Sequence, residues 1–406
     1  TIPIDSLNPD KKYPLIIGVA GSMGWRKHHL DYIKMYQEQG FATFELNSFK
    51  SRGITSTVGS QDQVTIAAVI LDAYRALETL AQHSYIDKDR VGVIWGAGIG
   101  GLETFQNECL NFAAGDGTPR FNPFFIPKMI ADIAPGQISI KYGFRGPNFA
   151  TVSACASSSN AIIDALNYIR LGYADIMVSG GSEAAVTIAG MGGFNALQAL
   201  STRNDDPKTA SRPFDKDRDG FVLGEGAAGL VLEEYEHAKK RGAKIYAEIV
   251  GAGATADAHH ITAPHPEGIG VIAVMRHCLE NAGVSPEEVD HINTHGTSTP
   301  LGDVAELKAI TEVFGEHAKN ININSTKSMT GHLLGAAGAI ESISAILAME
   351  HGIIPPTINH NTSDDNIDSN LNLTLNKAQK RTVNIAMSNT FGFGGHNACV
   401  LFKKLD

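Results

Sequence analysis

Thr151-Val-Ser-Ala-Cys155-Ala-Ser-Ser-Ser-Asn160 sets one cysteine between small and β-branched residues and a helical pattern. Ala161, Ile162, Ile163, Ala165, Leu166 and Ile169 recur after it at helical spacing. The pattern predicts a strand-to-helix junction with Cys155 at the helix N-terminus. Unpaired N–H groups and the helix dipole favour an anion there, which lowers a thiol's pKa from about 8.5. Thiolates attack thioesters, so the stretch points to covalent acyl transfer. A lone cysteine at such a place is otherwise a small buried packing residue, and two later stretches bear on that choice.

Asn293-Thr-His295-Gly-Thr297-Ser-Thr299-Pro-Leu-Gly302-Asp303 follows apolar Val289 and Ile292. It reads as a strand end and a loop, where open α/β folds put their chemistry. His295 suits donation to a developing oxyanion or proton transfer; a satisfied loop histidine is the other reading. Asn324-Ser-Thr-Lys327-Ser-Met-Thr-Gly331-His332-Leu-Leu-Gly335-Ala-Ala-Gly338 then leads into an apolar helix with Ile340, Ile343, Ile346, Leu347 and Met349. Its small residues suit close packing on a neighbour. His332, at the helix start, is expected to be kept neutral by the dipole and to donate to an oxyanion. Lys327 reads as a solvated charge or as a buried electrostatic anchor. Ser388-Asn-Thr-Phe391-Gly-Phe393-Gly-Gly395-His-Asn is a glycine-rich turn between strands. A backbone N–H brought close there would form half of an oxyanion hole, the Cys155 N–H being the other half. Phe393 reads as a core residue or as a movable plug over the cysteine.

Together these four stretches resemble the β-ketoacyl-acyl-carrier-protein synthases, the elongating condensing enzymes of type II fatty acid synthesis. The likeness is nearest to the synthase II branch and runs from about Asp89 to the C-terminus. Gly98-Ile99-Gly-Gly101, Gly180-Gly181-Ser-Glu183-Ala, Ser211-Arg-Pro-Phe214-Asp and Gly220-Phe-Val-Leu-Gly224-Glu225-Gly226 resemble the same family. The resemblance implies Cys155 as acyl acceptor, His295 and His332 as the decarboxylation pair, and Lys327 and Glu341 as supporting charges. It implies Thr297 and Thr299 as ligands of the phosphopantetheine arm, Phe393 as a gate, and Ile99 and Phe194 as acyl-pocket residues. Two neutral histidine donors would stabilise the enolate left when malonyl thioester loses CO2. The carbanion then attacks the acyl thioester on Cys155, so no metal and no resident cofactor are expected; phosphopantetheine arrives on the acyl-carrier protein.

The 406 residues allow two or three domains or one large duplicated unit. A 43% apolar content supports a sizeable core, and 42 glycines suit tight loops and close helix contacts. The net charge of −10 argues against generic nucleic-acid binding. An acidic carrier protein would need a local basic patch; Arg203, Lys208, Arg212 and Lys216 are candidates, or else an ordinary solvated face. Cysteines 109, 155, 278 and 399 have neither metal-site nor disulfide-framework spacing, and the three other than Cys155 read as packing residues. No apolar run reaches membrane-spanning length. The start Thr-Ile-Pro-Ile-Asp has no signal-peptide pattern and, lacking Met, reads as processed or trimmed. A cytoplasmic enzyme is expected.

A weak internal echo supports two similar halves. Helices begin near Cys155 and near His332, and the Phe221–Leu232 stretch matches Phe393–Leu401 in rhythm, each a turn and then a strand. The family resemblance implies an α/β, thiolase-like duplicated α/β/α/β/α layered fold, usually homodimeric. Its halves are expected at 91–240 and 241–406, with a candidate dimer edge near Asn148–Ser153.

Residues 1–90 depart from that pattern and resemble the start of a dienelactone-hydrolase-like α/β-hydrolase. Tyr13–Trp25 reads as a strand and turn, Tyr32–Gly40 as a helix, Phe41–Leu46 as a strand and about Gln61–Gln82 as a long helix. Gly96-Ala-Gly98-Ile-Gly100 has glycine where that fold needs its nucleophilic serine. Ser22 has no motif around it, so serine hydrolysis is rejected. The two resemblances meet near Ile86–Val93, like a fusion. Ile16–Val19 is then expected to stand in for the synthase family's first strand. A catalytically disabled chimeric scaffold is the rival outside enzyme chemistry. A thiolase would share the fold but needs a second catalytic cysteine that Cys399-Val-Leu does not supply.

Overall fold

Val91-Gly-Val-Ile-Trp-Gly96 and Ile176-Met-Val-Ser-Gly-Gly-Ser-Glu183 are runs of apolar and small residues without alternation. That is the pattern of strands covered on both faces, and all six residues of the first are buried. A computed structural model describes residues 15–19, 42–46 and 86–405. The chain divides into two units, Thr1–Leu80 and Ala81–Asp406.

In the first unit, β1 (Leu15–Val19) pairs in parallel with β2 (Ala42–Leu46), from Leu15↔Ala42 to Val19↔Leu46. The strands read within Tyr13–Trp25 and Phe41–Leu46 are therefore present at Leu15–Val19 and Ala42–Leu46, and the turn read after the first lies outside the described residues. The helices expected at 32–40 and 61–82, and Ser22, lie outside the described residues. Within this unit the ladder partner of β1, which holds Ile16–Val19, is β2.

The second unit has two main sheets. One comprises β3 (Val91–Gly96), β4 (Asn148–Thr151), β5 (Ile176–Glu183) and β6 (Gly226–Glu233) in the order β4-β3-β5-β6; only β6 runs antiparallel to its neighbour. The other contains β7 (Glu248–Ala256), β8 (His291–Asn293) and β9 (Asn322–Asn324). After a short ribbon of β10 (Ile353–Ile354) and β11 (Gln379–Lys380) come β12 (Ile385–Gly392) and β13 (His396–Lys403). Its order is β7-β13-β12-β8-β9.

Two helices, Ser157–Arg170 and Ala337–His351, lie between the sheets and touch strands of both. Small residues let them come close: the Ala339 N–H donates to Ser158 Oγ at 3.0 Å, and Ser159 Oγ lies 2.8 Å from Thr390 Oγ1. Helix Ile133–Tyr142 covers β3 and β4 on the outside, and helix Ile269–Ala282 covers β7 and β13. The result is the duplicated α/β/α/β/α layering expected from the sequence. One apolar cluster spans Ile94, Ile162 and Met177 to Val400 and Phe402, so residues of both halves share a core.

Cys109 does not pack inside as expected. It is exposed on helix Leu102–Ala113, whereas Cys278 and Cys399 are buried. Among the described residues, no helix is long and apolar enough to cross a membrane.

Candidate active site

Cys155 lies two residues ahead of its helix, in a 3-10 turn, Ala154–Ala156, that Ala154 enters with φ 50°. That turn aims the side chain into a cavity of about 500 Å³. His295 follows the end of β8 and His332 precedes the 3-10 turn Leu334–Ala336; both line the same cavity. Their rings meet edge to face, 5.2 Å between centroids, and Phe221 and Phe391 pack against them. Residues 140 and 177 positions apart from the cysteine in sequence thus share one pocket with it.

The electrostatics differ from the sequence expectation for the cysteine. Burial pushes the Cys155 thiol up to about 12. Lys327 and the Phe393 N–H pull it down, but they do not outweigh the loss of water. A helix terminus lowers a thiol's pKa only where the thiolate is adequately solvated, and here it is not. The histidines are held well below the ordinary imidazole range, first by burial and then by the Lys327 charge. Their neutrality agrees with the expectation for His332, but its cause is burial and Lys327. The α-helix beyond His332 starts only at Ala337, five residues on.

Lys327 is 1% exposed and forms an ion pair with equally buried Glu341, which settles its reading as an internal anchor. Burial raises the Glu341 carboxyl to about 7 against the pull of Lys327. Thr297 and Thr299 line the cavity with hydroxyls 3.1 Å apart. Phe393 and Phe194 also line it, with ring centroids 6.5 Å apart. Ile99 does not line it and is 43% exposed on this chain. At the turn after β12, a Cβ on Gly392 would sit 2.7 Å from the Ser153 carbonyl and 3.1 Å from the Cys155 nitrogen. Only glycine allows that approach, which sets the Phe393 N–H within bonding reach of Cys155. The two amides proposed for an oxyanion hole are therefore neighbours.

Two carboxylates went unassigned in the sequence. Glu306 is 2% exposed and accepts the N–H of His295 and of Gly296, both at 2.9 Å, so it fixes the histidine loop from below. Asp303 accepts the N–H of Phe214 at 2.9 Å and of Ser298 at 3.1 Å, and Arg218 lies 3.6 Å away. Their signal was the i, i+3 placement of two acids in the first two turns of helix Pro300–Phe314, among Val304, Ala305, Leu307, Ala309 and Ile310. Burial raises Glu306 to about 7 and Asp303 to about 6. The expected basic patch is only partly present. Arg212 is buried and bonded to Thr209, Lys216 is paired with Asp365, and Arg203 donates to the Asp217 carbonyl. Among the described residues, no group of three or more His, Cys, Asp or Glu is placed to hold a metal ion.

Residues 61–238 match the family model "Beta-ketoacyl synthase, N-terminal domain" and residues 246–361 match "Beta-ketoacyl synthase, C-terminal domain". A 3-oxoacyl-[acyl-carrier-protein] synthase 2 of Staphylococcus aureus (strain COL) is 51% identical over 318 residues, 78% of this chain and 76% of that protein. The protein of the same name from Synechocystis is 50% identical over 319 residues, 79% of this chain and 76% of that one. A solved β-ketoacyl synthase from Burkholderia phymatum superposes with a TM-score of 0.76 at 37% identity, covering 82% of this chain and 81% of that one. A ketosynthase solved in complex with its type II polyketide synthase acyl-carrier protein gives 0.74 at 36% identity, with 80% of each chain covered. The hydrolase-like reading of residues 1–90 receives no support, and the family match already begins at residue 61, inside that segment.

Proposed function

The chain belongs to the β-ketoacyl synthase family, and from this we propose that it is a 3-oxoacyl-acyl-carrier-protein synthase of type II, joining an acyl group to malonyl-carrier in fatty acid elongation. The observation that carries the reading is one cavity lined by Cys155 and two neutral histidines. In the first half-reaction Cys155 Sγ bonds the acyl carbonyl carbon and the carrier thiol leaves with the proton. The buried thiol gives up that proton only as the bond forms, and Lys327 and the Phe393 N–H favour the developing anion. In the second, the malonyl C–C bond breaks, CO2 departs and its electron pair forms an enolate. Neutral His295 and His332 donate to the enolate oxygen, where donors in a dry site act most strongly. The enolate carbon then bonds the acyl carbon, the C–S bond breaks, and the departing Cys155 thiolate takes up one proton from solvent to regenerate the thiol. The electron pair comes from CO2 loss, so the reaction draws on no redox cofactor.

Supporting roles follow the geometry. Lys327 and Glu341 set the charge behind the histidines, and Thr297 and Thr299 offer paired hydroxyls to a phosphopantetheine arm. Phe393 covers the cysteine with Phe194 beside it. Ile99, lying outside this cavity, is assigned to the acyl pocket only as completed by a second copy. The enzyme is inferred to be a cytoplasmic homodimer: among the described residues β4 is an edge strand, and Ile140 and Val152 beside it are 77% and 63% exposed. Its carrier-protein partner would meet Arg203, Lys208 and Lys216, with Arg212 supporting from within. Intact-protein mass spectrometry after incubation with acyl-carrier thioester tests this. One acyl adduct, absent in Cys155→Ala, is expected. A folded wild-type protein that takes no adduct would instead fit a non-catalytic scaffold.

A further inference from the structure

Glu183 ends β5, is 3% exposed, and has no part in the steps above. Its Oε2 accepts the N–H of Gly98 at 2.7 Å and of Gly335 at 3.1 Å, and Oε1 accepts the N–H of Ile99 at 3.2 Å. These amides come from two places. Gly335 lies three residues after His332, in the turn that leads into the second central helix. Gly98 and Ile99 follow β3, and the residue before them is tied to the cysteine turn. Ser157 Oγ points at the carbonyls of Ala154, at 2.6 Å, and Ala97, at 3.3 Å. A continuous path therefore runs from the Cys155 turn through Ser157, Ala97, Gly98 and Glu183 to the turn behind His332.

The duplicated frame explains the placement. Strands β5 and β12 have eight residues each, and Glu183 occupies in one the place of Gly392 in the other. Ala154 (φ 50°) and Leu334 (φ 47°) each open a 3-10 turn that continues into a central helix, so Gly335 stands where Cys155 stands. In one half the strand end brings an N–H to the cysteine. In the other it brings a carboxylate to the glycine's N–H. A Cβ on Gly335 would lie 2.2 Å from the Gly98 nitrogen and 2.8 Å from Glu183 Oε2, so this second turn is filled by the clamp itself.

We propose that Glu183 is a positioning residue for carbon–carbon bond formation: its carboxylate clamps the loop bracing the Cys155 turn to the turn behind His332 and so fixes nucleophile against histidine. The proposal rests on the assignment of Cys155 as acyl acceptor and His332 as donor. Acylation uses the cysteine side and decarboxylation the histidine side. Condensation needs both in a single geometry, with reacting atoms about 3–3.5 Å apart. Loosening the clamp spares the half-reactions and damages the joint step. Glutamine is the sharp replacement: its NH2 must face at least one of the three N–H groups, which then loses its acceptor.

Wild type, Glu183→Gln and Glu183→Asp are compared in three assays: acyl-adduct formation by mass spectrometry, CO2 release from malonyl-carrier without acyl primer, and β-ketoacyl product formation. A wild type that takes no acyl adduct overturns the site assignment and the proposal with it. Given a working wild type, Glu183→Gln is expected to lose about 10- to 100-fold in condensation while each half-reaction falls less than about 3-fold. Condensation within about twofold of wild type, or equal loss in all three rates, overturns the proposal, since a merely structural role lowers every rate by the folded fraction. If Glu183→Gln does not fold, the Glu183→Asp rates decide: condensation must fall more than either half-reaction, and parallel losses overturn the clamp.

Discussion

The two halves of the synthase unit share a frame and differ in what they do with it. In each, an eight-residue strand pairs antiparallel with a following strand of equal length: Ile176–Glu183 with Gly226–Glu233, and Ile385–Gly392 with His396–Lys403. The second pair continues to a fifth strand, β7, whereas β6 has no further ladder partner among the described residues. Burial follows. Val231 pairs with Val178 on the open side and is 42% exposed; Leu401, at the corresponding place, pairs with Met387 and is fully buried. The half that carries the cysteine is the less enclosed one, and the half with both histidines is the better supported. In the proposed mechanism chemistry is divided in the same way, one half supplying the nucleophile and the other the donors, so neither half would be sufficient by itself.

The largest expected effect concerns the pair Cys155 and Gly335. Cys155→Ala should abolish the acyl adduct and lower condensation by at least about 10³-fold, measured by product formation from acyl- and malonyl-carrier. Retained condensation would mean that the two turns do not differ in role. Next comes the packing contrast. Leu401→Ala should cost about 3 kcal/mol in chemical denaturation and Val231→Ala under about 1 kcal/mol. Equal costs would show that the β6 edge is as enclosed as β13.

The acids behind the histidine loop give a pH signature to the second half. Burial raises Glu306 from 4.5 to about 7, so the folded state holds that proton more tightly than the unfolded chain. Its contribution is complete below about pH 4.5 and is lost as pH rises through 7, at most about 3 kcal/mol. Glu306→Gln should flatten stability against pH across that window, and an unchanged slope would place the titration elsewhere. The smallest effect is an expected absence of change. With both histidines held far below 6.5, the condensation rate should show no fall centred near pH 6.5. Such a fall would mean that one imidazole titrates in water, outside the dry pocket.

Much of the site was legible because its residues sit at turns, where local sequence dictates local geometry. Cys155, His295 and His332 each follow a strand-like run with glycine or small residues nearby, and Phe391-Gly-Phe393-Gly-Gly395 announces a hairpin. Glu306 and Glu183 were not assigned because a buried carboxylate acquires its role from amides far away in sequence; Glu183 and Gly335 are 152 positions apart. Arg212 was taken for surface charge because nothing local says that Thr209 and the surrounding core enclose it. The hydrolase-like reading of the first 90 residues rested on strand–turn–helix rhythm, which many α/β folds share.

The sequence by itself marked Cys155, His295 and His332 as the candidate reactive side chains, since small-residue spacing and turn chemistry act over a few residues, and its family resemblance implied the duplicated layering; His332 is neutral for a tertiary reason, burial beside Lys327. Tertiary structure alone decided the state of the thiol and the identity of the clamps. A protonation state depends on how much water is removed and on which charges remain within reach. For Cys155 those are a buried Lys327, a Phe393 amide and the carboxyl groups of Glu183 and Glu341, brought together from both halves of the fold.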